Sequence, residues 1–148
     1  TARLLAASSL EHGKKIHLFD TFSGMPPTDP TKDIHQKGDF NDTELTLVKN
    51  YLNNFNNILF YPGVFPSTAE SVKDLKFSFV HIDVDIHQSV IDCCTFFYPR
   101  LATGGIIIFD DYGFLSCPGA KLGVDTFFKD KPELPIYLPT GQCYIYKE

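Results

Sequence analysis

Three apolar, strand-like segments of this sequence end in aspartate. Asp20 follows the first, Asp83 the second, and the pair Asp110 and Asp111 the third. Helix-like segments separate them, and such an alternation predicts an α/β fold with a mostly parallel sheet. Because open parallel sheets bind ligands beyond the carboxyl ends of their strands, we expect the functional site at these aspartates.

The remaining elements follow from apolar spacing, capping residues, glycine and proline. Two short apolar segments near the end of the chain flank a turn at residues 139–141, which predicts an antiparallel hairpin at the sheet edge. We predict helices over residues 2–10, 42–55 (with Asp42 or Thr43 as N-cap), 67–75, 88–98 and 118–130, strands over 14–19, 58–61, 77–82, 106–109, 136–138 and 142–146, and a polar surface loop over 28–42.

Length and composition restrict the class of protein. With 148 residues, 43% of them hydrophobic, the chain can form one domain with its own core, spanning residues 1–148. No apolar segment is long enough to span a membrane, and 18 acidic against 13 basic residues leave no basic stripe for nucleic acid. The 14 phenylalanines and 7 tyrosines leave homo-oligomerisation open, although core packing explains them more simply.

The four cysteines are Cys93, Cys94, Cys117 and Cys143. They lack the Cys-x-x-Cys spacing of zinc sites, and a disulfide framework would be unusual at this length. We therefore expect a cytoplasmic protein in which each cysteine is a small buried apolar residue.

The aspartates that end the second and third of these strands indicate a metal site. Carboxylates at the ends of neighbouring strands would repel one another unless a cation joined them, and oxygen ligands favour a hard ion such as Mg²⁺. Asp20 stands apart, where a carboxylate can accept hydrogen bonds from ribose hydroxyls or cap the following turn. His87 is a candidate general base, or a residue that orients Asp85 or caps the next helix.

Four segments together resemble the macrocin O-methyltransferase family, whose members methylate sugar hydroxyls of antibiotics with S-adenosylmethionine and Mg²⁺. The resemblance implies a Rossmann-like class I methyltransferase sheet with an antiparallel C-terminal hairpin, and a small-molecule hydroxyl acceptor, either a sugar or a glycosylated metabolite. The segments are LFDTFSGMP (18–26), HIDVDIHQS (81–89), YPRL through GG to FDDY (98–112) and CPGAK (117–121).

The resemblance also implies roles for individual residues. The acid that holds the cofactor ribose corresponds to Asp20, with Thr21 beside it, and the turn that packs on the adenine corresponds to Gly63, Val64 and Phe65. The metal ligands correspond to Asp83, Asp110 and Asp111. Asp83 is our first choice as the base that removes the acceptor proton, His87 the second and Asp85 the third.

One part of the family pattern has no counterpart in this sequence. The family fold begins with a central strand and a glycine-rich loop under the methionine part of the cofactor, whereas Thr1 to Leu5 match the helix that follows this loop. The strand would lie between the strands that end at Asp20 and Asp83. We therefore expect the 148 residues alone to fold poorly or to depend on other chain segments, and not to catalyse methylation.

Two other functions are compatible with parts of the pattern. The triplet from Asp83 to Asp85 resembles the Asp-x-Asp motif of metal-dependent glycosyltransferases, but this motif does not explain Asp110 and Asp111. The chain could also be a non-catalytic module that keeps the methyltransferase fold and a metal pocket without binding the cofactor.

Overall fold

The computed structural model describes residues 1–148, which form two compact units. The first comprises Thr1–Pro26 and Gly38–Glu70, and the second comprises Pro27–Lys37 and Ser71–Glu148. None of the helices is long and apolar enough to cross a bilayer.

The first unit is built on a pair of parallel strands. It contains helix α1 (Ala2–Leu10), strand β1 (Ile16–Asp20), helix α2 (Leu45–Tyr51) and strand β2 (Ile58–Pro62). The strands pair in parallel, so that Asp20 lies opposite Pro62. The buried side chain of Asn57 donates hydrogen bonds to the carbonyls of Ala6 (3.1 Å) and Lys14 (3.2 Å), which fixes α1 and the following turn against the start of β2.

Two helix predictions in this part of the chain need correction. The helix predicted over 42–55 is shorter, its N-cap residue is Glu44 rather than Asp42 or Thr43, and it makes no side-chain capping bond. The asparagines after Tyr51 favour turns over helix, which explains the early end. The helix predicted over 67–75 forms only a 3₁₀ turn at Glu70–Val72, and the Ser67 hydroxyl instead donates to the nearby carbonyl of Val64.

The second unit contains a mixed four-stranded sheet. Its strands lie in the order β3, β4, β6, β5, with β3 and β4 parallel and the other neighbours antiparallel. The predicted C-terminal hairpin is confirmed. The elements are β3 (Phe77–Ile82), α3 (His87–Phe97) with a 3₁₀ turn at Tyr98–Arg100, β4 (Leu101–Phe109), α4 (Pro118–Phe128), β5 (Ile136–Tyr137) and β6 (Cys143–Tyr146).

The α/β class is confirmed, but a single continuous sheet is not. Strand β1 pairs with β2, β3 pairs with β4, and no strand of this chain joins the two sheets. Strand β4 is also longer than the predicted 106–109, because Gly104 and Gly105 continue it through an irregular register instead of breaking it. Gly104 has a φ of +78°, and a Cβ on Gly105 would lie 2.7 Å from the carbonyl oxygen of Ala102.

The core of the second unit lies between one face of the sheet and the two long helices. Side chains alternate along the strands, so that Val80, Ile82, Ile107, Phe109 and Ile145 are buried. The Phe109 ring packs edge-on against Phe128 of α4. A Cβ on Gly123 would lie 3.0 Å from the Val90 side chain, so α3 and α4 approach each other closely at this glycine.

Candidate functional site

Strand pairing places the acids of the second unit together. Ile82 and Phe109, the last residues of β3 and β4, lie opposite each other in the parallel register, and the Asp110 amide donates to the Ile82 carbonyl at 2.9 Å. Asp83 and Asp110 follow these paired residues directly. Partial desolvation and the neighbouring carboxylates of Asp110 and Asp85 raise the pKa of Asp83, although its side chain keeps contact with solvent.

Three carboxylates form the centre of this site. One oxygen each from Asp83, Asp85 and Asp111 lies within 4.8 Å of the other two, and we call this group the acidic triplet. Asp85 has left-handed backbone geometry (φ +57°), and its amide donates to Asp111 Oδ2 at 3.2 Å. Asp111 is 7% exposed, and desolvation together with Asp85 and Asp83 raises its pKa to about 7.

The acidic triplet fits a divalent cation. Desolvation is the largest cause of the raised pKa values of Asp83 and Asp111, and the closeness of the neighbouring carboxylates adds to it by disfavouring their ionisation. A cation bound among them would remove the repulsion, and a set of oxygen donors with one solvent-accessible side is the environment that Mg²⁺ prefers.

The arrangement differs in one respect from the predicted ligand set. Asp83 and Asp111 come together as expected, but the third member of the group is Asp85, which the sequence suggested only as a base. Asp110 is not a member of this grouping: its Oδ1 lies 3.4 Å from His81 Nε2 and accepts a hydrogen bond from the Gln142 side chain. Asp110 therefore borders the triplet, and its role as a metal ligand stays a prediction.

His87 is the first residue of α3. Its backbone amide donates to Asp33 Oδ1 at 2.8 Å, and its ring Nδ1 is buried without a hydrogen-bond partner. Desolvation and the nearby Lys32 ammonium lower the pKa of His87, so that the neutral imidazole is favoured at pH 7. The ring is thus in the protonation state that a general base requires.

Sequence reasoning missed the contribution of the segment Pro27–Lys37, which we call the strap. Asp33 in the strap is 8% exposed and accepts hydrogen bonds from the amides of Asp29 and His87, so it caps α3 from a distant part of the chain. His35, two residues later, lies near Cys117. The only sequence signal was the polar character of residues 28–42, which predicted a surface loop without indicating which residues pack against α3 and Cys117.

In the first unit, the predicted cofactor residues lie at the ends of β1 and β2. Asp20 is exposed, and its Oδ1 accepts a hydrogen bond from the Phe22 amide at 2.7 Å. The Thr21 hydroxyl donates to the carbonyl of Gly24 at 2.6 Å and accepts a bond from the Ser23 amide. These bonds shape a tight turn, which agrees with the capping alternative for Asp20 and leaves its other carboxylate oxygen available to a ligand.

The turn after β2 lies beside this residue. The Gly63 amide donates to the carbonyl of Asp20 at 2.9 Å, and Gly63 has a φ of +129°, which only glycine adopts without strain. Val64 is 51% exposed, and the half-buried Phe65 packs edge-on against Phe19. The parallel pairing of β1 and β2 therefore brings together the predicted ribose and adenine residues.

The four cysteines are free and buried, as predicted. Burial raises the pKa of Cys93 and Cys143 to about 12. These two thiols are therefore apolar core residues without nucleophilic character. Cys117 differs because it also contacts polar groups, His35 and Asp85 among them.

Comparison with known proteins gives these residues a context. A family model described as Macrocin-O-methyltransferase (TylF) matches residues 2–135. The chain is 27% identical over 117 residues to the mycinamicin III 3''-O-methyltransferase of Micromonospora griseorubida, an alignment that covers 70% of this chain and 46% of the relative. It is 25% identical over 118 residues to the 8-demethyl-8-(2,3-dimethoxy-alpha-L-rhamnosyl)-tetracenomycin-C 4'-O-methyltransferase of Streptomyces olivaceus, covering 72% and 45%.

The same likeness is found among solved structures. The O-methyltransferase NovP superposes with a TM-score of 0.85 at 22% identity, covering 99% of this chain and 66% of that protein. The chain thus spans about half the length of the curated relatives it matches.

Proposed function

Because the chain belongs to the macrocin-O-methyltransferase (TylF) family of S-adenosylmethionine-dependent methyltransferases, we propose that the protein containing it methylates a hydroxyl of a sugar or of a sugar-bearing natural product. Relatives named for O-methylation, one of them of a rhamnosyl-bearing compound, support this acceptor class. The observation that carries the proposal is the acidic triplet at the ends of β3 and β4, within a chain of this family.

The acidic triplet, with Asp110 beside it, would hold a divalent cation such as Mg²⁺, which when bound supplies Lewis-acid activation of the acceptor hydroxyl. The carboxylates contribute negative charge for the cation, and one of them is already held in position. Asp111 is buried and bonded to the Asp85 amide, so the position of its carboxylate is set before any ligand binds. Asp83 is exposed and can be reached from solvent.

Methylation of a neutral hydroxyl releases its proton, and the chain provides a base for it. Asp83 is exposed at the edge of the acidic triplet, so it could reach both a bound cation and the acceptor proton. His87, with its neutral ring, is the second candidate, and Asp85 is the third. Asp20, Thr21 and the turn of Gly63, Val64 and Phe65 would bind the ribose and adenine of S-adenosylmethionine.

Calorimetric titration of the full-length protein with S-adenosylhomocysteine, with and without Mg²⁺, tests the proposal. We expect binding by the wild type and a loss of at least about tenfold in affinity for Asp20→Ala, because the ribose hydroxyls would lose a charged hydrogen-bond acceptor. Asp130→Asn, a change of an exposed acid beyond α4, is the matched control.

Acceptor turnover is then followed by mass spectrometry with a panel of sugars and glycosylated metabolites. We expect addition of one methyl group in the presence of Mg²⁺ and its loss in Asp83→Asn. A protein that binds no S-adenosylhomocysteine but binds a nucleotide sugar with Mn²⁺ would contradict the methyltransferase proposal and favour a glycosyltransferase. Binding of neither ligand would favour a non-catalytic module.

A further inference from the structure

A second group of possible metal ligands adjoins the acidic triplet. The Cys117 Sγ lies 3.5 Å from Asp85 Oδ1 and 3.7 Å from His35 Nε2. The three donor atoms all lie within 4.8 Å of one another. Cys117 is 4% exposed, and His35 and Asp85 are half-buried, so the group is not a chance meeting of mobile surface side chains.

The donor types distinguish this group from the acidic triplet. A thiolate, an imidazole and a carboxylate suit a borderline ion such as Zn²⁺ and do not suit Mg²⁺, which prefers oxygen ligands. Three protein ligands with an open fourth position are the arrangement of zinc sites that also bind water or substrate.

The two distances from Cys117 agree with one ion bound by all three residues, and the donor atoms of His35 and Asp85 lie within 4.8 Å of each other. In a tetrahedral site with a Zn–S bond of about 2.3 Å and Zn–N and Zn–O bonds of about 2.0 Å, sulfur lies about 3.5 Å from the nitrogen and oxygen ligands. The Cys117–Asp85 and Cys117–His35 separations of 3.5 and 3.7 Å match this geometry. A cation could therefore bind with little movement of Cys117 relative to His35 and Asp85.

The backbone around each donor is held in place. Asp33 anchors the strap to the first residue of α3 through a hydrogen bond of 2.8 Å, two residues before His35. The Asp85 amide is bonded to Asp111, and Cys117 directly precedes α4, of which it is the N-cap residue. The group therefore joins the strap, the end of β3 and the start of α4 within one unit.

We propose that His35, Asp85 and Cys117 form a second cation site, specific for a thiophilic or borderline ion such as Zn²⁺ and distinct from the acidic triplet. Asp85 belongs to both groups. Zn²⁺ bound here fixes the Asp85 carboxylate and ties the strap to α4, so it weakens Mg²⁺ binding at the triplet. The zinc site itself does not depend on methyl transfer as the function of the protein.

Titration of the full-length protein with Zn²⁺ in excess Mg²⁺, read by calorimetry and by competition with a chromogenic chelator, tests the site. We expect one Zn²⁺ per chain and at least about a tenfold loss of affinity in His35→Ala and in Cys117→Ala. His12→Ala, at an exposed histidine, and Cys93→Ala, at a buried cysteine of α3 that is not a member of the group, are the matched controls and should bind as the wild type does.

Substitution of Co²⁺ for Zn²⁺ adds a spectroscopic signature. A thiolate ligand gives an intense near-ultraviolet charge-transfer band, which we expect in the wild type and in Cys93→Ala but not in Cys117→Ala. Circular dichroism establishes that each variant is folded. Absence of Zn²⁺ binding in the wild type, or binding that Cys117→Ala and His35→Ala leave unchanged, would overturn the proposal. Titration with S-adenosylhomocysteine in the same samples separates this result from failure of the proposed function.

Discussion

The contact between Gly119 and Asp33 gives the sharpest test of how the strap is held. Gly119 lies in the first turn of α4, and a Cβ at this position would overlap the Asp33 carboxylate and lie 2.9 Å from the His87 amide nitrogen. Alanine therefore cannot be accommodated unless Asp33 gives up its bond to His87. We expect Gly119→Ala to destabilise the protein and release the strap.

The magnitude follows from the bonds that would be lost. A hydrogen bond to a buried charged acceptor contributes about 1.5–3 kcal/mol, and displacement of Asp33 Oδ1 removes one such bond. Alanine favours helix over glycine by about 0.5–1 kcal/mol, which offsets part of the loss. We expect a net decrease of about 1–2 kcal/mol in the free energy of unfolding.

Urea denaturation of a double-mutant cycle measures this coupling. In an Asp33→Ala background the overlapping carboxylate is absent, so the cost of Gly119→Ala should fall by about 1 kcal/mol. The remaining cost comes from the His87 amide nitrogen, which would still lie 2.9 Å from the added Cβ. Gly119→Ala should also weaken Zn²⁺ binding at His35, because the strap is no longer anchored. If Gly119→Ala costs the same with and without Asp33, the overlap does not determine the effect and the reasoning fails.

Three further changes test other parts of the structure. Gly123→Ala should lower stability by about 1–3 kcal/mol in urea denaturation, because the added methyl meets the Val90 side chain and the His87 carbonyl oxygen at 3.0–3.1 Å. Asp111→Asn should raise the melting temperature in chelator, where it relieves repulsion in the acidic triplet, and should abolish the increase that Mg²⁺ gives the wild type. Burial lowers the pKa of His17, so the unfolded chain binds a proton there more readily than the folded one below about pH 6.5, and the contribution of His17 to stability falls as the pH drops from 7 to 5. Asp111, whose pKa is raised, contributes with the opposite sign over the same range. His17→Gln should therefore be more stable at pH 5 relative to pH 7 than the wild type is, which thermal melts at the two pH values measure.

Parts of both units could be predicted from local pattern. Helix α1 and strand β3 have the predicted bounds, because their apolar spacing and flanking residues agree with their packing. The errors lie where tertiary contacts override local preference. Gly104 and Gly105 would end an isolated strand, but bonds between Gly104, Gly105 and Lys147 continue β4 beside the last residues of the chain.

The site was predictable to the extent that topology determines it. Parallel pairing of β3 and β4 places Asp83 and Asp110 side by side. Acidic residues that follow any two neighbouring parallel strands are brought together in the same way, so this part of the site follows from the strand pattern. The participation of Asp85 in the acidic triplet depends on its left-handed backbone, with a φ of +57°, and the sequence pattern did not predict this conformation. Asp33 lies 54 residues before its partner His87, and His35 lies 82 residues before its partner Cys117. Only the folded strap brings groups so far apart in the sequence together.

The unpaired edges of the two sheets bear on the expected additional strand. Neither β1 (IHLFD) nor β3 (FSFVHI) has the lysine, proline or bulging glycine that commonly protects an edge strand from pairing. Each has an apolar composition typical of an interior strand. We propose that in the full-length protein both edges pair with another strand, as the family resemblance implies for the strands that end at Asp20 and Asp83.

Hydrogen exchange tests this pairing. An edge strand leaves alternate sets of its amides open to solvent, whereas a strand paired on both sides protects nearly all of them. We expect the amides of β1 and β3 to exchange slowly in the full-length protein and much faster in the isolated chain of 148 residues. The buried amides shared by β4 and β6 serve as the internal reference, because both of their partners belong to this chain. If the amides of β1 and β3 exchange at the same rate in the two samples, no further strand protects them in the full-length protein. Both strands would then be edge strands, and the proposed pairing would be wrong.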